Sequence, residues 1–141
     1  MKKILLANAN YYEKITKKLV TASINVLKKK KLIVSVVEVP GVLEIPIVIR
    51  RNINKFDAFV ALGCVIKGKT PHFDLITKTT FQEILSLSIK YNKPITNGII
   101  TASNKDQALE RSSLKKSNKK NKGHEAATAV LAVLKNGPKK I

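Results

Sequence analysis

Tryptophan is absent, cysteine occurs once, and acidic side chains are scarce beside basic ones, 9 against 27. The lone Cys64 excludes an internal disulfide framework and cannot by itself anchor a cysteine-based zinc site. It reads as a small buried hydrophobe rather than a reactive thiol. Long apolar runs are missing too. Lys2, Lys3, Glu13, Lys14, Lys17 and Lys18 interrupt the N-terminal region, so neither a signal peptide nor a membrane span is expected, and the expected location is cytoplasmic. With 141 residues, 44% of them hydrophobic, the chain suits one domain over 1–141 with its own core.

The shortage of aromatics and arginine bears on the net charge of +18. Such a charge ordinarily points to nucleic acid or an acidic membrane surface. Yet only Arg50, Arg51 and Arg111 of the 27 basic residues are arginine, while base readout and stacking draw on arginine and exposed aromatic rings. Lysine, isoleucine and asparagine are abundant together, as A- and T-rich codons would make them. The clusters Lys28–Lys31 and Lys115–Lys122 are therefore read as solvated, with neither nucleic acid nor membrane as a partner.

What is present alternates between strand and helix patterns. Lys3–Ala7 reads as a strand, and Tyr12–Lys31 carries Ile15, Leu19, Ala22 and Val26 or Leu27 at helical spacing. Leu32–Val39 is β-branched and strand-like, Pro40-Gly41 marks a turn, and Ile45–Ile53 predicts a short helix beginning near Pro46. Ala58–Gly63 is a compact apolar run, followed by a helix to about Tyr91 whose inward stripe is Ile76, Thr80, Ile84, Leu87 and Tyr91. Pro94–Ala102 is the fourth strand. Asn104 with Gln107 resembles a capping box for a helix to about Arg111, and a last helix, read as packing or subunit interface, spans about His124–Leu134. Ser112–Lys122 between them is polar and loop-like. This alternation predicts an α/β fold: a single-domain three-layer α/β/α sandwich, flavodoxin-like, on a four-stranded parallel sheet, with ligands at the carboxyl edge of the strands. Asn8–Tyr12, Pro40–Glu44, Cys64–His72 and Asn97–Asn104 would meet there.

The most informative segment is Gly63-Cys-Val-Ile-Lys-Gly-Lys-Thr-Pro-His-Phe-Asp74. Gly68 permits a tight turn, Thr70 has an N-cap side chain, and Pro71 suits the first helical position, so the helix is expected to start at Thr70. Free backbone N–H groups there would hold a phosphate, Lys69 would add charge, and the imidazole of His72 could exchange a proton with a substrate so held. Gly63-x-x-x-x-Gly68-Lys69-Thr70 also matches the P-loop pattern of nucleotide triphosphatases. The match reads as accidental: Cys64, Val65 and Ile66 favour continued strand, and no carboxylate ends an apolar strand to hold magnesium.

Val39-Pro-Gly-Val-Leu-Glu-Ile-Pro46, Ala61 through Asp74, Gln107-Ala-Leu-Glu-Arg111 and Asn121-Lys-Gly123 together resemble the lumazine synthases over nearly the whole chain. The resemblance implies condensation of 5-amino-6-(D-ribitylamino)uracil with 3,4-dihydroxy-2-butanone 4-phosphate, the penultimate step of riboflavin biosynthesis, without a cofactor or metal. It implies that Tyr11 stacks on the pyrimidine, that Val42, Leu43 and Glu44 contact the ribityl side, and that Cys64, Val65 and Ile66 line the ring pocket. Lys69 and Thr70 would hold the phosphate and His72 would transfer protons. Asn97, Arg111 and Lys122 would come from a neighbouring subunit, Arg111 facing the phosphate, in a homopentamer whose single chains are inactive.

The chain departs from that pattern in four places. Asn97 stands where many members have a stacking Phe, and Val42-Leu43 replaces a small residue followed by an aromatic. The N-terminal extension that in many members adds to a neighbour's sheet is not expected here, and Leu114–Asn121 is about three residues longer than in capsid-forming members, so a free pentamer is expected rather than a sixty-subunit shell. Rival readings are a P-loop enzyme, a nucleic-acid binder, a structural protein, and a carrier that binds riboflavin-like ligands without turnover.

Overall fold

The computed structural model describes residues 1–115 and 120–141. Its four strands are β1 (Lys2–Ala9), β2 (Leu32–Val39), β3 (Ala58–Ile66) and β4 (Ile95–Ala102), and its five α-helices are α1 (Glu13–Leu27), α2 (Ile45–Arg51), α3 (His72–Tyr91), α4 (Lys105–Ser112) and α5 (Lys122–Lys135). The strands form one parallel sheet in the order β2-β1-β3-β4. That is the three-layer α/β/α arrangement expected from the alternation. Parallel pairing requires crossovers, and the helices that make them cover both faces.

Each face has its own core. Ile4, Leu6, Val60 and Leu62 point to the side of α1 and α5, where they meet Leu19, Leu27, Ala127 and Val130. Leu5, Ala7, Phe59 and Ala61 point to the other side, against Ile45, Ile49 and Ile84. The period of two along β1 and β3 thus divides near-continuous apolar runs between two layers. The α3 stripe falls as expected: Thr80 and Ile84 are buried, with Ile76, Leu87 and Tyr91 packed on the second core. The α5 face of Ala126, Ala127 and Val130 is packed as well.

Close approach of α1 and α5 depends on Gly123. A Cβ there would strike the backbone of Leu19, and the Ser23 hydroxyl donates to the Gly123 carbonyl at 3.0 Å. Asn104 caps α4 as read, accepting from the Gln107 N–H at 2.9 Å, while Gln107 Oε1 reaches the Ser103 N–H at 2.8 Å, one residue upstream of the usual capping box.

Several boundaries differ from the sequence reading. The helix α1 ends at Leu27, four residues before Lys31, because the chain must turn to set Leu32 beside Lys2 in the sheet. The helix α5 begins at Lys122, earlier than His124, where Asn121 accepts the His124 N–H at 3.0 Å. A 3-10 turn at Val42–Glu44 precedes α2. The loop reading of Ser112–Lys122 is corrected at its ends, where Ser112 closes α4 and Lys122 opens α5, and falls partly on 116–119, outside the described residues.

Candidate active site

With β1 at the centre, the chain passes from β1 to β2 on one side and then crosses to β3 on the other, so the direction of winding reverses between β1 and β3. Loops diverge at such a point and leave a crevice at the strand ends. A cleft of about 250 Å³ lies there, lined by Ala9, Tyr11 and Tyr12 after β1, Gly41 and Val42 before α2, Cys64, Val65 and Ile66 at the end of β3, and His72 and Ile76 on α3.

Local chemistry shapes this cleft. The strand β3 runs three residues beyond Gly63, to Ile66, because Cys64, Val65 and Ile66 pair with Ile100, Thr101 and Ala102 of β4. The first half of the P-loop pattern, Gly63–Ile66, therefore lies in strand rather than in a phosphate-wrapping loop. A Cβ at Gly63 would lie 2.7 Å from Val42 Cγ1, so this glycine lets the turn before α2 close over β3. Cys64 is buried, and burial pushes its thiol up to about 11, leaving a neutral lining group rather than a nucleophile. Burial, then the neighbouring Tyr11 and Cys64, also raise the phenol of Tyr12. The two tyrosines meet edge to face at 4.9 Å, which leaves Tyr11 exposed beside the cleft.

The entry to α3 corrects the sequence reading. Pro71 holds the cap position, no side chain caps the helix, and the first helical residue is His72. Thr70 is exposed in the preceding loop and is not the cap. Gly68 does not use its conformational freedom, since none of the six glycines has positive φ. The first-turn N–H groups remain at the helix start beside His72, as an anion site requires. Lys69 and Thr70 sit exposed next to them but outside the cleft lining, and so do Leu43 and Glu44 in the 3-10 turn.

Asn97, Arg111 and Lys122 are elsewhere. They line a second cleft of about 480 Å³ beside β4, the edge strand, together with Phe81, Thr101 and Glu125. Asn97 is the third residue of β4, paired with Ala61, and so lies away from the carboxyl edge where it was expected. Its carboxamide oxygen accepts the Ile99 N–H at 2.9 Å, which turns the side chain back along the strand. Arg111 donates to the Thr101 carbonyl at 2.7 Å, tying the end of α4 to β4 while its guanidinium stays exposed. Lys122 lies 3.6 Å from Glu125. Tyr12 and Thr101 line the clefts from segments expected at the carboxyl edge, without having been singled out, while the sequence reading missed Ile76 and Phe81 as lining residues. Ile76 was legible, one helical turn after His72; Phe81 was not, because only the packing of α3 beside β4 brings it there.

Among the described residues, no three His, Cys, Asp or Glu side chains cluster as a metal site, and no helix is long and apolar enough to cross a membrane.

Comparison with known proteins adds to this geometry. The family model for 6,7-dimethyl-8-ribityllumazine synthase matches residues 1–136. The chain belongs to that family. It is 37% identical over 134 residues to the 6,7-dimethyl-8-ribityllumazine synthase of Bartonella tribocorum, covering 93% of this chain and 87% of the relative. Like-named proteins of Campylobacter curvus and Buchnera aphidicola (subsp. Schizaphis graminum) are 36% and 40% identical, with 94% and 93% of this chain and 86% and 84% of those relatives covered. The chain is thus placed among transferases of riboflavin biosynthesis.

Proposed function

We propose that this protein condenses 5-amino-6-(D-ribitylamino)uracil with 3,4-dihydroxy-2-butanone 4-phosphate, in the cytoplasm and without a cofactor, at a site completed between two copies of the chain. The observation that carries the reading is the division of the site residues. His72 and the apolar ring pocket occupy one cleft, while Arg111, Lys122 and Asn97 occupy another beside the edge strand. Family membership supports joining the first cleft of one subunit to the second cleft of the next.

In this reaction the 5-amino group attacks the ketone carbon, and loss of water gives an imine. Elimination of phosphate then produces an enol that tautomerises to a ketone. The ribitylamino nitrogen closes on that ketone and a second water leaves. The nucleophiles belong to the substrate, so the protein's task is to hold two reactants together and move protons near a bound phosphate. Tyr11 is assigned to stack on the pyrimidine, Cys64, Val65 and Ile66 to line the ring, and Val42, Leu43 and Glu44 to contact the ribityl chain. Lys69, Thr70 and the start of α3 are assigned to the phosphate with the neighbour's Arg111, and His72 to proton transfer. Asn97 and Lys122 contribute from the neighbour, where Phe81 offers an aromatic surface that Asn97 does not.

Association has support on the surface. Leu75, Leu85 and Ile89 on α3 are 65%, 61% and 73% exposed, and Ile47 on α2 is 52% exposed. Apolar area of this kind ordinarily marks a contact with another chain. A free homopentamer is the proposed assembly, and light scattering that gave shell-sized particles would overturn it. Mixing purified protein with both substrates, and following lumazine absorbance together with phosphate release, tests the activity. Coupled appearance of both products above the uncatalysed rate is expected; binding without turnover would indicate a carrier.

A further inference from the structure

The helix α3 walls both clefts. His72 and Ile76 in its first turns line the cleft between β1 and β3, whereas Phe81 lines the cleft beside β4. Helical geometry explains the split. At about 100° per residue, Phe81 lies about half a turn around the axis from His72, on the other flank of the stripe where Thr80 and Ile84 are buried. Phe81 is half-buried, packed on the second core and still open to the cleft. Beside it, alternation along β4 sets Asn97, Ile99 and Thr101 on one face. The polar groups of that wall are already engaged. The Asn97 carboxamide oxygen accepts the Ile99 N–H, the Thr101 carbonyl accepts from Arg111, and Lys122 lies beside Glu125. Phe81 is the one aromatic ring among the described residues that line this cleft.

An anion held by Arg111 and Lys122 has no use for a ring face, but a flat heterocycle does, because stacked faces exclude water from both partners. The first cleft leaves such a heterocycle half covered. Tyr11 is 77% exposed at its edge, so a ring stacked on it keeps one face in solvent until a second copy arrives. We infer that Phe81 of the neighbouring copy supplies the ring contact on that open face, and that it sets affinity for the pyrimidine substrate and not for the butanone phosphate. This role rests on the proposed condensation and adds a specificity-determining residue to it. One α3 then serves two sites, giving His72 to its own and Phe81 to the next.

Steady-state kinetics on the assembled protein would compare wild type with Phe81→Leu, which keeps an apolar contact with the second core but removes the ring, and with Phe81→Tyr, which keeps the ring. The KM for the ribitylaminouracil should rise about tenfold in Phe81→Leu, the scale of one lost stack. Its kcat and its KM for the butanone phosphate should stay near wild type, and Phe81→Tyr should restore the pyrimidine KM. A merely structural role would move both KM values together. Because the chain has no tryptophan, Phe81→Trp supplies a single fluorescent reporter, which decides the case where Phe81→Leu does not assemble. Its emission should be quenched saturably by the ribitylaminouracil and left unchanged by inorganic phosphate. Wild-type protein that makes no lumazine would overturn the proposed reaction and this role with it. Wild-type turnover with an unchanged pyrimidine KM in Phe81→Leu, equal changes in both KM values, or no quenching by the pyrimidine would overturn the role of Phe81 alone.

Discussion

Six of the site residues read from the sequence line the cleft between β1 and β3, and three line the cleft beside β4. The first is made by strand ends and one helix start, with a neutral thiol, apolar walls and an imidazole at the rim. The second holds the cations and a carboxamide along β4, which among the described residues is an edge strand. One cleft offers ring contact and proton transfer, the other charge for an anion, and neither alone has the equipment for the proposed chemistry. On the proposed reading, the difference means that the catalytic unit is larger than the chain.

The largest expected effect on this comparison comes from separating the copies. Replacing Leu85 and Ile89 together by Asp should break the assembly in sedimentation and reduce turnover more than tenfold, because a desolvated carboxylate is costly in an apolar contact. Retained assembly would remove α3 from the interface. Arg111→Ala should raise the KM for the butanone phosphate and lower kcat/KM about 10- to 100-fold, as loss of a charge-assisted hydrogen bond predicts. His72→Ala should slow turnover about a hundredfold without abolishing it, the scale of a general acid–base contribution. Kinetics showing no loss in kcat would take His72 out of the mechanism.

A smaller effect concerns the neutral lining of the first cleft. The Cys64 thiol is raised in the fold from 9.0 to about 11. The fold favours the protonated form, so this contribution to stability is complete below about pH 9 and is lost as pH rises through about 11. Iodoacetamide should label the unfolded chain readily at pH 9 and the folded protein far more slowly. Fast labelling of folded protein would mean a reactive thiol at the site.

The chain's local chemistry was legible in particular places. The alternation of apolar runs and helical stripes foretold the layers, and Asn104 with Gln107 foretold the start of α4, because a cap is settled by neighbours in sequence. Thr70 misled for a related reason: it has a capping side chain, but the chain enters α3 two residues later without using it. The extension of β3 to Ile66 depends on pairing with Ile100–Ala102, and the end of α1 at Leu27 depends on where β2 must lie beside β1. Such boundaries are set across the sheet. The split of the site into two clefts was reachable from the sequence only through family resemblance. No local pattern reports that Asn97, Arg111 and Lys122 gather beside β4.

The most direct test of a shared site is to co-assemble His72→Ala and Arg111→Ala subunits in equal amounts. If the cleft of one copy works with the cleft of the next, about one site in four in a cyclic assembly combines two intact halves, and activity should rise to about a quarter of wild type, well above either variant alone. Activity no greater than the average of the two separate variants would place both halves within a single chain and contradict the account.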